Sequence, residues 1–90
     1  MTRPLTEFFK THGWCQRAYA RDASDRRESW NSARATSFCL VGAAWRSGAT
    51  EPRGLAMRLG FVDCAAMVRW NDAPGRTKEE VMQRIEEAGL

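Results

Sequence analysis

Ninety residues, 43% hydrophobic and 28% charged, form one domain with a modest core, since a chain this short buries only about 60–65% of the surface its unfolded form exposes. The net charge of +3 divides unevenly: residues 1–76 carry twelve basic and seven acidic side chains, residues 77–90 two and four, and twelve of the fourteen basic residues are arginine. The longest apolar run, Phe38–Trp45, is far below the roughly 20 residues that span a bilayer, the start M-T-R-P-L-T-E lacks a secretory apolar block, and three cysteines without C-x-x-C spacing make no disulfide framework, so a cytoplasmic chain with reduced thiols and no membrane role is expected.

Leu5, Phe8, Phe9 and His12 recur at helical spacing, with Pro4 suited to a first turn and Gly13 to a C-cap, so a first helix is expected up to His12. Trp14 to Asp22 alternates with a period of two, which favours a strand, although its alanines also suit a helix. Asp22 to Ser32 is charged and aperiodic, a surface loop or the turn of a small hairpin. Ser32 can cap a central helix in which Ala35, Phe38, Gly42 and Trp45 line one side up to Gly48. Within it Cys39, Gly42 and Ala43 are small enough for another backbone to approach. Thr50 to Pro52 starts a short helix with Leu55 and Leu59, stopped at Gly60. Asp63 caps the next, which carries Cys64, Met67 and Val68 to Trp70 and Asn71.

The most specified stretch is W-N-D-A-P-G-R-T-K-E-E-V, Trp70 to Val81. Pro74 presets φ for a turn and Gly75 supplies the positive φ that a type II turn needs next. Thr77 and Glu80 have the spacing of a capping box, which stabilises a helix start by about 1 kcal/mol. Trp70, Asn71, Asp72, Pro74, Gly75, Arg76, Thr77 and Glu80 are therefore read as a structural motif. Val81, Ile85 and Ala88 form the inward stripe of the last helix, and Gly89 lets Leu90 fold back onto Ile85. The sum is a mainly α chain, a compact bundle of four or five short helices, with a small N-terminal β-hairpin left open.

Three motifs, W-C-Q-R-A-Y-A-R-D at 14–22, C-L-V-G-A at 39–43 and the 70–81 stretch, resemble an uncharacterised family of small bacterial and bacteriophage proteins, a domain of unknown function. Related sequences often have Gly where this chain has Arg17, and an Asp-Gly turn near Asp25 and Arg26. The family supplies no catalytic residues; its phage members imply, by resemblance, a protein that acts on host machinery or host defences.

Cys15, Cys39, Cys64 and His12 match the ligand count of a Cys3His zinc site, but gaps of 24 and 25 residues lack a second close pair. Cysteine catalysis by Cys15 with His12 lacks an orienting group, and neither phosphate-binding glycine motif occurs. No cofactor, metal or catalytic residue is assigned. Arg21, Arg26, Arg27, Trp30 and Arg34 form the candidate partner-binding patch, because Trp and Arg are enriched in interface hot spots. Trp14, Trp45 and Trp70 are assigned to packing, whereas Trp30 has no apolar neighbour in sequence. The expected function is non-catalytic protein binding, as a phage-derived inhibitor or modulator of host machinery; the rival is a nucleic-acid-binding accessory protein using the same patch, since pI 9.1 suits phosphates. A homo-oligomer is compatible with either. An open pocket lined by Asn71, Asp72 and Arg76 would count against a purely structural role for the 70–81 stretch.

Overall fold

The computed structural model describes residues 3–90. Its order is α1 (Pro4–Thr11), β1 (Gly13–Trp14), β2 (Ala20–Arg21), β3 (Arg27–Glu28), β4 (Ser37–Phe38), α2 (Leu40–Ser47), α3 (Pro52–Arg58), α4 (Cys64–Asn71) and α5 (Lys78–Glu87). The strands form one mixed sheet in the order β1-β4-β2-β3, with β1 parallel to β4 and the other pairs antiparallel. This is an α+β fold, and it overturns the expected mainly α bundle with at most a small hairpin. The hairpin exists, as β2 and β3, but it is half of a larger sheet.

The error has two local causes. Phe38 does not continue a helical stripe from Ser32; it is a fully buried strand residue paired with Trp14 and Ala20. The central helix starts later, at Leu40, where Cys39 serves as N-cap and its sulfur accepts from the Gly42 amide at 3.4 Å. The expected strand over 14–22 is interrupted at Arg17, whose φ of 61° breaks the extended chain into β1 and β2. Asp25, at φ 64°, turns the hairpin, and the Asp22 carboxylate accepts from the amides of Ser24 and Arg26 across its tip. Asp tolerates this left-handed conformation better than most residues with a side chain.

The later helices follow from local signals. Pro52 opens α3 without a side-chain cap from Glu51, Asp63 caps α4 through the Ala66 amide at 2.8 Å, and Thr77 opens α5 with both halves of a capping box. Gly75 has φ 82°, and Arg76 N–H donates to the Ala73 carbonyl at 3.0 Å to close the turn between α4 and α5. Arg76 lies 4.1 Å over the Trp70 ring, donates to the Trp70 carbonyl and pairs with Glu80 at 3.0 Å, so the turn is held from its outer side. Leu90 N–H donates to Ile85 and Gly89 N–H to Glu86, which closes the Schellman arrangement at the end of α5. The Leu90 carbonyl then accepts from Leu5 and Thr6 at the start of α1.

The core gathers around α2, which touches α1, α3, α4 and β4. Leu5, Phe9, Phe38, Leu40, Leu55, Met67, Val81 and Ile85 are buried there, each contributing about 1.5–3 kcal/mol by leaving water. Gly42 is required by a close approach: a Cβ on it would fall 1.9 Å from the Tyr19 carbonyl oxygen. The small-residue face of α2 thus receives the backbone that leads into β2.

Candidate functional site

The two halves of the chain meet at the end of α4. Asn71 is 1% exposed, and its side-chain amide fills all four hydrogen-bonding positions. Its Oδ1 accepts from the Trp14 indole at 2.8 Å and from the Leu40 amide at 3.2 Å; its Nδ2 donates to the Cys15 carbonyl at 3.2 Å and to Asp72 Oδ1 at 2.9 Å. One side chain therefore ties β1, the first turn of α2 and α4 together. Gln16 Nε2 adds bonds to the carbonyls of Asn71 and Ala73. A buried amide left without partners costs about 1–3 kcal/mol, so full satisfaction is what lets Asn71 lie there.

Asp72 extends this junction outward. Its Oδ1 also accepts from the Arg17 amide at 2.9 Å, which holds Arg17 in its left-handed conformation. Such a conformation costs a residue with a Cβ about 1 kcal/mol or more. Arg17 stands at the mouth of a cavity of about 420 Å³. Buried Leu40 and Val41, with half-buried Val68, make its apolar base, while exposed Arg17, Tyr19 and Arg27 stand around the opening. Asp72 and Glu28 also reach the wall, with Asp72 Oδ1 already taken by two donors. Asn71 and Asp72 thus line an open cavity, but Arg76, fixed on Trp70 and Glu80, does not.

Tyr19 leads from this opening to an aromatic group on α2. Tyr19 is 54% exposed and Trp45 38%; their rings meet edge-on at 5.3 Å, and Trp30 lies 5.8 Å from Trp45 on the other side. Arg46 Nη1 donates to the carbonyls of Trp30 and Ser32 at 3.0 and 2.8 Å and so holds that segment against the helix.

The five residues of the sequence-derived patch separate. Arg21 turns inward, donating to the Gln16 carbonyl through Nε and Nη2 and to the Asp25 carbonyl through Nη1. Arg26 and Arg34 stay exposed near Asp22, whose carboxyl is held below its ordinary range, first by the Arg26 amide. Arg27 joins the cavity mouth, and Trp30, half-buried, packs beside Trp45. Trp45, assigned to packing from sequence, is instead partly in solvent.

The groups that could have carried chemistry are engaged in structure. Burial pushes the Cys15 thiol up to about 11 and raises that of Cys39, so both are protonated at neutral pH and poor nucleophiles. His12 stacks on Phe8 with ring centroids 4.1 Å apart, and its Nδ1 lies 2.9 Å from the Phe8 carbonyl. Among the described residues no cluster of three or more His, Cys, Asp or Glu could hold a metal ion.

Sequence reasoning missed Arg17, Tyr19, Trp45 and the cavity base, which lie on the β1–β2 connection, α2 and α4 and meet only in the folded chain. An arginine at positive φ leaves no local signal in this sequence. No curated protein and no solved structure is significantly similar to the chain. A family of unknown function, DUF6197, matches residues 6–89, and the chain belongs to that family.

Proposed function

We propose that the protein is a non-catalytic binding protein that engages another protein through the face running from the cavity mouth across Tyr19 to Trp45. The observation that carries this reading is the edge-on pair of Tyr19 and Trp45, 54% and 38% exposed, left uncovered beside a core that takes Phe9 and Phe38 completely. Rigid aromatic surface of this kind lends contact area at low entropic cost, and Tyr, Trp and Arg dominate interface hot spots. The high pKa of the two buried thiols and the stacked position of His12 favour binding over a reaction. Three cysteines without a bridge suit a cytoplasmic setting; no described helix is long and apolar enough to cross a membrane. In its most concrete form the protein is a phage-derived modulator of host or defence machinery, a reading supported only by the resemblance to small phage proteins.

Affinity capture from a nuclease-treated bacterial lysate tests the proposal. The wild type is expected to retain a discrete protein, and Trp45→Ala to lose it while its melting temperature changes by only a few degrees, about 1 kcal/mol. Capture that disappears with nuclease, or persists in Trp45→Ala, refutes the proposed face.

A further inference from the structure

We propose that the cavity beside α2 receives a bulky apolar side chain from an acidic segment of the partner protein, whose neighbouring Asp or Glu pairs with Arg17 and Arg27. This rests on the protein-binding reading above and names the chemistry of the partner. Three observations converge on it. The cavity, about 420 Å³, has a base of Leu40, Val41 and Val68, which suits an aliphatic or aromatic group and lies within the size range of small-ligand pockets, roughly 300–1,000 Å³. Arg17 and Arg27 at its mouth have no side-chain hydrogen bond or ion pair among the described residues, so both guanidinium groups are available to a carboxylate in the bidentate geometry that Arg favours. Arg17 occupies φ 61°, where glycine fits better, so the side chain is present despite its backbone.

Charge decides between an acidic peptide and nucleic acid. Glu28 and Asp72 share the cavity wall with the two arginines and would repel a run of phosphates. A single carboxylate set against Arg17 and Arg27 avoids most of that repulsion. The ring at the opening, Tyr19, is engaged edge-on with Trp45, and the aliphatic base below it offers no ring on which a nucleobase entering the cavity could stack.

The probe is a displayed library of random linear peptides, selected against the full chain. Enriched peptides are expected to place Leu, Ile, Met or an aromatic residue within two positions of Asp or Glu. Arg17→Gly is the discriminating variant, because it removes the guanidinium while relieving the backbone, so the fold is retained. Peptide affinity should fall about tenfold or more in Arg17→Gly, with less loss in Arg27→Gln, and the melting temperature of Arg17→Gly should hold or rise. Enrichment without acidic residues, no enrichment at all, or unchanged affinity in Arg17→Gly overturns the inference. So does a single-stranded oligonucleotide that binds as tightly as the peptides and depends on Arg17, since it assigns the cavity to phosphate. Each of these failures leaves protein binding through Tyr19 and Trp45 to be judged by the nuclease-treated capture, so the two readings fail separately.

Discussion

Asn71 and Trp45 occupy opposite situations in one small molecule. Every polar atom of the Asn71 amide is bonded inside the fold, whereas the Trp45 ring, on a helix whose other face is buried, stays 38% exposed and meets the rings of Tyr19 and Trp30, themselves partly exposed. Trp45 ends the longest apolar run and Asn71 stands in the polar stretch R-W-N-D, so composition alone would bury the first and expose the second. What separates them is whether the partners lie inside the chain. The Asn71 amide lines the cavity but has no hydrogen bond left to offer a ligand, whereas the exposed rings and the guanidinium groups of Arg17 and Arg27 remain available to a partner.

The contrast can be broken most severely at the junction. Asn71→Ala would leave the Trp14 indole, the Leu40 amide and the Cys15 carbonyl without their partner, and should destabilise the fold by about 3–5 kcal/mol in urea unfolding. A loss similar to that of Trp45→Ala would erase the distinction drawn here. Gly42→Ala comes next. Its Cβ would collide with the Tyr19 carbonyl, so the β2 approach must shift, with an expected loss of about 3 kcal/mol and weaker packing of Tyr19 on Trp45. A variant as stable as the wild type would mean that this backbone moves freely.

Arg17→Gly sharpens the comparison in the other direction, because here the structure is expected to improve. Relief of the left-handed arginine should raise stability by about 0.5 kcal/mol after allowance for the greater freedom of glycine in the unfolded chain. A clear loss would place Arg17 with the structural group. The smallest effect concerns acid. The Thr77 amide, and then Arg76, hold the Glu80 carboxyl below its ordinary value of 4.5. A carboxyl depressed in the folded state contributes stability that is complete above its unfolded pKa and is lost as pH falls through the folded one. Glu80→Gln keeps the shape of the cap but does not titrate, so it should flatten the decline in stability below pH 4.5. An unchanged decline would assign the acid sensitivity to other carboxylates, Asp22 first.

The same division explains what could be read from sequence. The turn at Pro74 and Gly75, the caps at Asp63 and Thr77, and the fold-back of Leu90 are set by residues within a few positions of one another. The sheet is different. Its strands are two residues long, too short for alternation to register, and β1 pairs with β4 across a wide sequence gap. Ser32, Ala35 and Phe38 imitate a helical stripe because Ala35 and Phe38 are both buried, though from a turn and a strand. The cavity was illegible for the same reason, since it exists only once Arg17, Leu40 and Val68 have been brought together by pairings that no local rule encodes.

The placement of β1 has a consequence for how the chain assembles. Residues 15–36 lie between two parallel strands, so joining Gly13 to Ser37 closes a long loop, an entropic cost of about 3 kcal/mol if that loop is still slack. Formation of the β2–β3 hairpin and its docking on β4 shorten the slack beforehand. The loop closed by β1 is then held shut from outside the sheet as well, by the Asn71 bonds to Trp14 and Cys15.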